Sequence, residues 1–280
     1  MGDLAADTTV EHIGTDDSTR RYRATLSPAW EIWGPMGGYV AAVALRAAGA
    51  SSTYPRPASI ACHYLGVAGF GPLDLSVTPL REGRAAASYR VEAAQDRRRI
   101  LEATVWATRP DDVRLEHDDA VPPDVDGPDG LLSIEQLTDD PPWFPFWSNL
   151  ESRPVEWSPE WPPTEPVPPV WRQWQRFRPT ATFADPWIDA CRSVVLVDVQ
   201  SWPAAHRPHA YRELPIYGPS LDLYVAFHRS LPEKEWLLCD GHSPVGADSL
   251  LGWTGRLWSD DRQLVASGGG QALCRPVRGG

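Results

Sequence analysis

The sequence predicts an α+β fold made of two tandem units, each an antiparallel sheet wrapping a buried central helix. A repeat is the first reason: Tyr64 aligns with Phe227 at an offset of 163 residues, and Asp96 aligns with Asp260 at an offset of 164. Each copy also holds one helical segment that is apolar on nearly all sides and several alternating runs separated by turns. A nearly constant offset indicates one duplicated fold unit.

The first unit is predicted to start with a strand over residues 21–33 and to continue into a helix over 34–50. Pro35 falls in the first turn of that helix and Gly49 lies near its end, which are the usual places for these residues. The segment is rich in alanine and apolar all round. We therefore expect this helix to be buried.

The second unit repeats the plan with a strand over 170–179 and a helix over 185–202. Asp185 is a typical N-cap residue, and Pro186 takes the first helical position. This helix is also apolar on nearly every side, so it is expected to be the buried centre of the second unit.

Alternating apolar and polar residues predict an antiparallel meander in each unit after the helix. The turn signals EGR, QDRR, PEKE and SDDR separate the runs. The predicted strands are 58–66, 72–81, 85–94 and 99–108 in the first unit, and 219–229, 235–243, 250–258 and 263–275 in the second.

The region between the units is rich in proline and aromatic residues. Residues 121–170 contain 13 of the 29 prolines, which disfavours helices and strands. Disordered linkers are poor in aromatic residues, so we expect an irregular strap anchored on the body by its rings: Trp143, Phe144, Phe146, Trp147, Trp157 and Trp161. The predicted organisation is a polar tail over 1–20, units over 21–110 and 171–280, and the strap over 111–170.

Composition excludes several partners. A formal net charge of −11 argues against nucleic acid, which needs an excess of basic residues. No apolar run is long enough to span a membrane, and the acidic start does not resemble a secretory signal, so the cytoplasm is the expected location. The four cysteines are far apart, which argues against a metal site.

Five motifs, in order and at the repeat spacing, resemble the double hot-dog acyl-CoA thioesterases of the type II (TesB-like) family. They are WGPMGGYVAAVALRAA (33–48), LREGR (80–84), PSLDLYVAFHR (219–229), EWLL (235–238) and LVASGGGQALCRP (264–276). The resemblance implies a double hot-dog fold and hydrolysis of an acyl-CoA thioester to the free acid and CoA. It implies general-base activation of water, with no metal, no covalent nucleophile and no cofactor beyond the CoA of the substrate.

Carried over residue by residue, the resemblance implies a catalytic trio of Asp198, Ser220 and Gln271. The family's glutamine position falls on Gly270, so Gln271 is one residue late, and such a slip in a strand points the side chain to the other face. The run of glycines at 268–270 could absorb the slip through a bulge.

The second unit is predicted to carry the chemistry. The first-unit equivalents of the trio are Ala47, Pro57 and Ala107, which have neither carboxylate nor amide. Burial would raise the pKa of the acid, while hydrogen bonds would favour its charged form.

The helix start at 34–38 is the predicted oxyanion site. Gly37 and Gly38 have no bulky side chain, and the first amides of a helix are free donors at its positive end. The same glycines could instead only permit close packing of the helix.

Other interpretations remain open at this stage. Asp198 and Ser220 could be a helix-end carboxylate and a turn cap, and Asp222 could be the true partner of Ser220. An acyl-CoA binding protein without hydrolysis and, with less support, an enoyl-CoA hydratase are the alternative functions. A homodimer or larger homo-oligomer could form through the sheet edges. The sequence does not indicate the length or type of the acyl chain.

Overall fold

The computed structural model describes residues 1–109, 115–139, 144–158, 165–209 and 216–276. The helices are α1 (Leu4–Asp7), α2 (Gly37–Ser51), α3 (Ile134–Leu137), α4 (Pro186–Val199) and α5 (Ser201–His206). The strands are β1 (Glu11–Asp16), β2 (Thr19–Leu26), β3 (Arg56–Tyr64), β4 (Gly71–Glu82), β5 (Ala86–Gln95), β6 (Arg98–Thr108), β7 (Leu150–Pro154), β8 (Val170–Phe177), β9 (Ile216–Tyr217), β10 (Asp222–Phe227), β11 (Trp236–Ala247), β12 (Leu250–Ser259), β13 (Leu264–Leu273) and β14 (Arg275–Pro276). Every long strand of the predicted meanders is confirmed, with ends displaced by a few residues.

One sheet of twelve strands runs through the molecule in the order β1-β2-β4-β5-β6-β3-β10-β13-β12-β11-β8-β7. The order of the first unit, β2-β4-β5-β6-β3, is repeated in reverse as β10-β13-β12-β11-β8. The two units meet where β3 pairs antiparallel with β10, with Tyr224 opposite Ala61. The duplicated α+β plan is confirmed, and the two predicted sheets join edge to edge into one.

The two long helices lie side by side under this sheet. Cys191 of α4 is in sulfur contact with the Ala42 carbonyl of α2, 3.6 Å away, and most residues of both helices are buried. At the start of α4 the Asp185 carboxylate accepts a hydrogen bond of 2.8 Å from the Trp187 amide, which confirms its role as N-cap.

Helix α2 begins later than predicted. Its N-cap is Met36, so Pro35 precedes the helix and does not occupy the first turn. The Met36 side chain is buried but supplies no capping oxygen. The first turn therefore consists of Gly37, Gly38 and Tyr39, and its first amides lack a side-chain cap of their own.

The N-terminal segment 1–20 is not a tail, and that prediction is wrong. It contains α1 and the edge strand β1, which pairs with β2. Leu4 is buried in the core, and the Gly2 amide donates to the Asn149 side chain at 2.7 Å. The N-terminal segment is therefore held against the body by the core and by Asn149 of the strap.

The strap is only partly irregular. Phe146 is fully buried against Trp30, with ring centroids 6.2 Å apart, which confirms an aromatic anchor. The segment also adds β7 to the edge of the sheet beside β8. Trp157 is exposed and has no ring contact within the described residues, while Trp143 and Trp161 lie outside them. The boundaries of the two units stay a prediction.

Candidate active site

Asp198 lies in the last turn of α4 and faces the first turn of α2. Its buried carboxylate accepts a hydrogen bond of 2.7 Å from the Gly38 amide to Oδ2 and one of 3.3 Å from the Ser220 hydroxyl to Oδ1. The end of one central helix thus meets the start of the other. The carboxylate is held between the two halves of the molecule.

The environment of Asp198 raises its pKa from 3.8 to about 6. Burial is the main cause, because it disfavours the charged form. The hydrogen bonds from Gly38 and Ser220 favour the carboxylate and lower the pKa, but they offset burial only in part. A carboxylate with this pKa is ionised at neutral pH and is a useful proton acceptor.

Ser220 reaches Asp198 because the chain is irregular just before β10. The residue forms an isolated bridge with Ala272, and Leu221 follows as a bend. Backbone hydrogen bonds hold both sides of it, from Leu221 to the Gln271 carbonyl at 2.7 Å and from Leu273 to the Pro219 carbonyl at 2.9 Å. The hydroxyl is therefore positioned by backbone bonds to β13.

Gln271 is not brought to Asp198. Its side chain is exposed, whereas its neighbour Ala272 is buried, as expected for opposite faces of one strand. Its backbone amide donates to Asp222 at 2.9 Å, and its side chain has no hydrogen bond to the described residues. The structure therefore places two of the three residues of the expected trio together and leaves the third on the outer face.

A bulge in β13 does not absorb the one-residue slip, because β13 pairs with β12 in unbroken register from Gly268 to Gln271. The space at Gly270 is also occupied. A Cβ there would lie 2.4 Å from the Asp222 carbonyl oxygen and 2.8 Å from the Trp253 ring. Trp253 is buried and pairs across the sheet with Gly270. Asp222, the rival carboxylate, uses its side chain to accept from the Gln271 backbone, which is a structural role.

The two glycines at the start of α2 differ in their surroundings. A Cβ at Gly38 would lie 2.8 Å from the Asp198 Cβ and 3.0 Å from the Val195 Cα, so Gly38 permits close packing of the helices. Its amide is already used by Asp198. Gly37 instead borders a narrow niche between the Asp198 carboxylate and the Tyr64 hydroxyl, and its amide has no hydrogen-bond partner among the described residues.

Tyr64 is the residue of this region that sequence reasoning missed. Its hydroxyl oxygen and the Asp198 Oδ2 each lie 3.2 Å from the point that a Cβ of Gly37 would occupy. The repeat offered a signal for it: Tyr64 aligns with Phe227, so the two halves differ here by one hydroxyl.

An aromatic cluster lies next to these residues along the chain. Trp33, just before α2, makes edge-to-face contacts with Phe144, Trp202 and Tyr217, at centroid distances of 6.2, 5.8 and 6.4 Å. Tyr217 comes three residues before Ser220, and Trp33 comes four before Gly37. Trp33 is 53% exposed, so an apolar surface is open to solvent beside the site.

The described residues hold no group of three or more histidine, cysteine, aspartate or glutamate side chains arranged to bind a metal ion. None of the described helices is long and apolar enough to cross a bilayer.

Family models match both halves of the chain. The family model described as "Acyl-CoA thioesterase N-terminal domain" matches residues 26–108, and the "Acyl-CoA thioesterase C-terminal domain" model matches residues 118–272. The chain belongs to the acyl-CoA thioesterase family. It is therefore a thioester hydrolase that acts on acyl-CoA.

Solved structures agree with the fold of this thioesterase. It is similar to an acyl-CoA thioesterase II of Mycobacterium marinum, with a TM-score of 0.79 and 22% identity over 99% of this chain and 100% of that one. A tesB protein of Mycobacterium avium subspecies paratuberculosis gives 0.75 and 23% over 98% of each chain. A hot-dog protein of unknown function from Alicyclobacillus acidocaldarius gives 0.79 and 20% over 99% and 98%. The double hot-dog fold predicted from the sequence is confirmed.

Proposed function

We propose that this thioesterase cleaves its substrate in one site, where Asp198 acts as general base on the attacking water. The supporting observation is the buried carboxylate of Asp198, which is fixed by Ser220 and Gly38 and lies close to Gly37, whose amide has no hydrogen-bond partner in the described part of the chain. A base needs a position and a suitable pKa, and this carboxylate has both. The equivalent residue of the first half is Ala47, which cannot act as a base.

The reaction follows from these groups. Water bound at Asp198 loses a proton to the carboxylate as its oxygen attacks the carbonyl carbon of the thioester. The carbonyl oxygen becomes negative and accepts a hydrogen bond from the Gly37 amide, at the positive end of α2. The carbon–sulfur bond then breaks, the proton on Asp198 passes to the leaving sulfur, and the free acid and CoA are released.

Substrate, cofactor and location complete the proposal. The substrate is an acyl-CoA, and no cofactor is required beyond its CoA group. We expect the enzyme to work in the cytoplasm in lipid metabolism, and a homodimer or larger assembly formed through the sheet stays a prediction.

A panel of acyl-CoAs, followed by release of free thiol and by direct binding, tests the function. Thiol release that depends on Asp198 supports the proposal. Binding without thiol release would support an acyl-CoA binding protein instead, an alternative suggested by the outward position of Gln271. Hydration of an enoyl-CoA without thiol release would assign a hydratase.

The pH profile of kcat/KM should fall on the acid side at about pH 6. Asp198 is active as the carboxylate, and its pKa is raised to about 6, so activity drops about tenfold for each pH unit below that value. Replacing Ser220 by alanine removes a hydrogen bond that favours the carboxylate, so the acid limb should move to higher pH. A wild-type profile that is flat from pH 5 to 7 would contradict the assignment of the base.

Gly37→Ala should lower kcat about tenfold or more without loss of fold. The new methyl group would lie 3.2 Å from both the Asp198 Oδ2 and the Tyr64 hydroxyl, within the space where water and substrate react. Alanine is the better helix former, so thermal stability should be retained. Gly127→Ala is the control, because no atom lies within 4 Å of its Cβ position. Equal activity in both variants would show that the niche is not used.

A further inference from the structure

Tyr64, the last residue of β3, has a buried hydroxyl that pairs with no nitrogen or oxygen atom of the described residues; its one polar neighbour on the strand is the Cys62 thiol, a weak hydrogen-bonding group. Such a group costs about 1–3 kcal/mol when nothing satisfies it. This property alone does not decide a role, because the hydroxyl of Tyr89 is buried in the same way. What distinguishes Tyr64 is the set of groups around it.

The Tyr64 hydroxyl faces the niche at Gly37. Its oxygen lies 3.2 Å from the position of a Gly37 Cβ, and the ring carbon that bears it lies 3.3 Å away. The Asp198 Oδ2 is 3.2 Å from the same point. The phenol oxygen and the carboxylate thus both lie close to Gly37, whose amide has no hydrogen-bond partner among the described residues.

The protonation state of Tyr64 suits a donor. Burial raises its pKa well above the usual value, and the Cys62 thiol and the carboxylates of Asp198 and Asp222 raise it further. The phenol therefore keeps its proton at neutral pH, where Asp198 is ionised. It can offer a hydrogen bond but cannot act as the base.

We propose that Tyr64 is a catalytic residue whose hydroxyl donates a hydrogen bond to the thioester oxygen as that oxygen becomes negative, beside the Gly37 amide. Tyr64 supplies the third polar side chain of the site, which the sequence predicts at Gln271. No bond to Tyr64 forms or breaks, and its proton stays on the phenol. The inference rests on the proposed function, since it needs hydrolysis at Asp198.

The repeat is consistent with this role. The equivalent of Tyr64 in the second half is Phe227, which is buried and has no hydroxyl. The helix end that corresponds to Asp198 in the first half has Ala47. The equivalent pair of positions, Phe227 and Ala47, therefore lacks both the phenol and the carboxylate, as expected if the two groups act in one reaction.

Tyr64→Phe tests the proposal. We expect kcat to fall about 100-fold or more, the loss typical of one missing oxyanion donor, with KM changed by less than about threefold. The acid limb near pH 6 should stay, because it belongs to Asp198. Thermal stability should be nearly unchanged, because the variant removes only a buried hydroxyl whose bond to the Cys62 thiol is weak. A structural role would instead give a clear loss of stability.

Two further variants separate the possible failures. Tyr89→Phe is the matched control, since Tyr89 lies on β5 near Ser52 and Glu82, at the opposite end of α2 from Gly37; its activity should equal that of the wild type. Tyr64→Phe with kcat within threefold of the wild type would overturn the role of Tyr64, while a low activity of Asp198→Asn would leave the proposed function intact. Full activity of Asp198→Asn would instead overturn the proposed function itself.

Discussion

Asp198→Asn is expected to lower kcat by at least 100-fold and, at the same time, to stabilise the folded protein at pH 8. The amide cannot take a proton from water, which removes general-base catalysis. The substitution keeps the shape of the side chain, so its oxygen can still accept from Gly38 and its amide can donate to Ser220. The loss should therefore appear in turnover rather than in folding.

The gain in stability follows from the raised pKa of Asp198. The carboxyl has a pKa of about 6 in the folded state and 3.8 as its ordinary value, a difference worth about 3 kcal/mol. Below pH 3.8 the group is protonated in both states and the folded protein has no penalty. As the pH rises through about 6 the folded state must hold a buried charge, and this stability is lost. Asparagine does not titrate, so its advantage is largest at pH 8 and shrinks toward pH 4.

Urea unfolding at pH 8 and pH 4.5, together with thiol release from acyl-CoA, measures both effects. Asp222→Asn is the matched control, because that side chain accepts from the Gln271 backbone and asparagine can still do so. Its activity should stay within a few-fold of the wild type. A larger loss in Asp222→Asn than in Asp198→Asn would transfer the role of base to Asp222.

Gly268→Ala is expected to destabilise the fold by about 3 kcal/mol or more and to abolish activity. Its Cβ would lie 2.0 Å from the carbonyl oxygen of Tyr224 on β10 and 3.0 Å from the Val197 side chain on α4. Backbone cannot move aside as the end of a flexible side chain can, so β13 and β10 must separate. β10 joins the two halves, and Ser220 lies two residues before its first residue, so the site would be disturbed as well.

The control for this variant lies on the neighbouring strand. At Gly252 the nearest atom to an added Cβ is the Val245 carbonyl oxygen at 3.7 Å, an ordinary contact. Gly252→Ala should change the free energy of unfolding by less than about 1 kcal/mol. Equal midpoints of urea unfolding for the two alanine variants would show that the contact at Gly268 is relieved without cost.

Most of the architecture could be predicted because the signals are local and occur twice. Alternation, turn residues and the Asp185–Pro186 helix start each report the backbone within a few residues, and the repeat shows which elements correspond. The N-terminal segment was mispredicted because its polar surface hides single long-range contacts, such as Leu4 in the core and Gly2 with Asn149. A polar composition does not reveal a partner that lies elsewhere in the chain.

The residues of the candidate site could also be predicted only in part. The resemblance placed Asp198 and Ser220, and the structure joins them by a hydrogen bond. Gln271 could not be placed from its neighbours, because the face of a strand residue depends on register, and Trp253 on another strand fills the space next to Gly270. In the sequence, Tyr64 has the pattern of an ordinary aromatic residue in a strand. Only the packing of the start of α2 against β3 shows that its hydroxyl lies near Asp198.

The sequence by itself determined that this thioesterase is a duplicated unit with a buried helix in each copy. It also determined that only the second helix carries a carboxylate, Asp198, near its end, where the first has Ala47. Those facts follow from residue order and from the periods of helix and strand, which act over short distances. The tertiary structure alone decided that the halves form one continuous sheet, that Gly38 is used by Asp198 while Gly37 stays free, and that a tyrosine and not a glutamine faces the carboxylate. These outcomes depend on which side chains occupy the same small volume, and that depends on the packing of segments far apart in the chain.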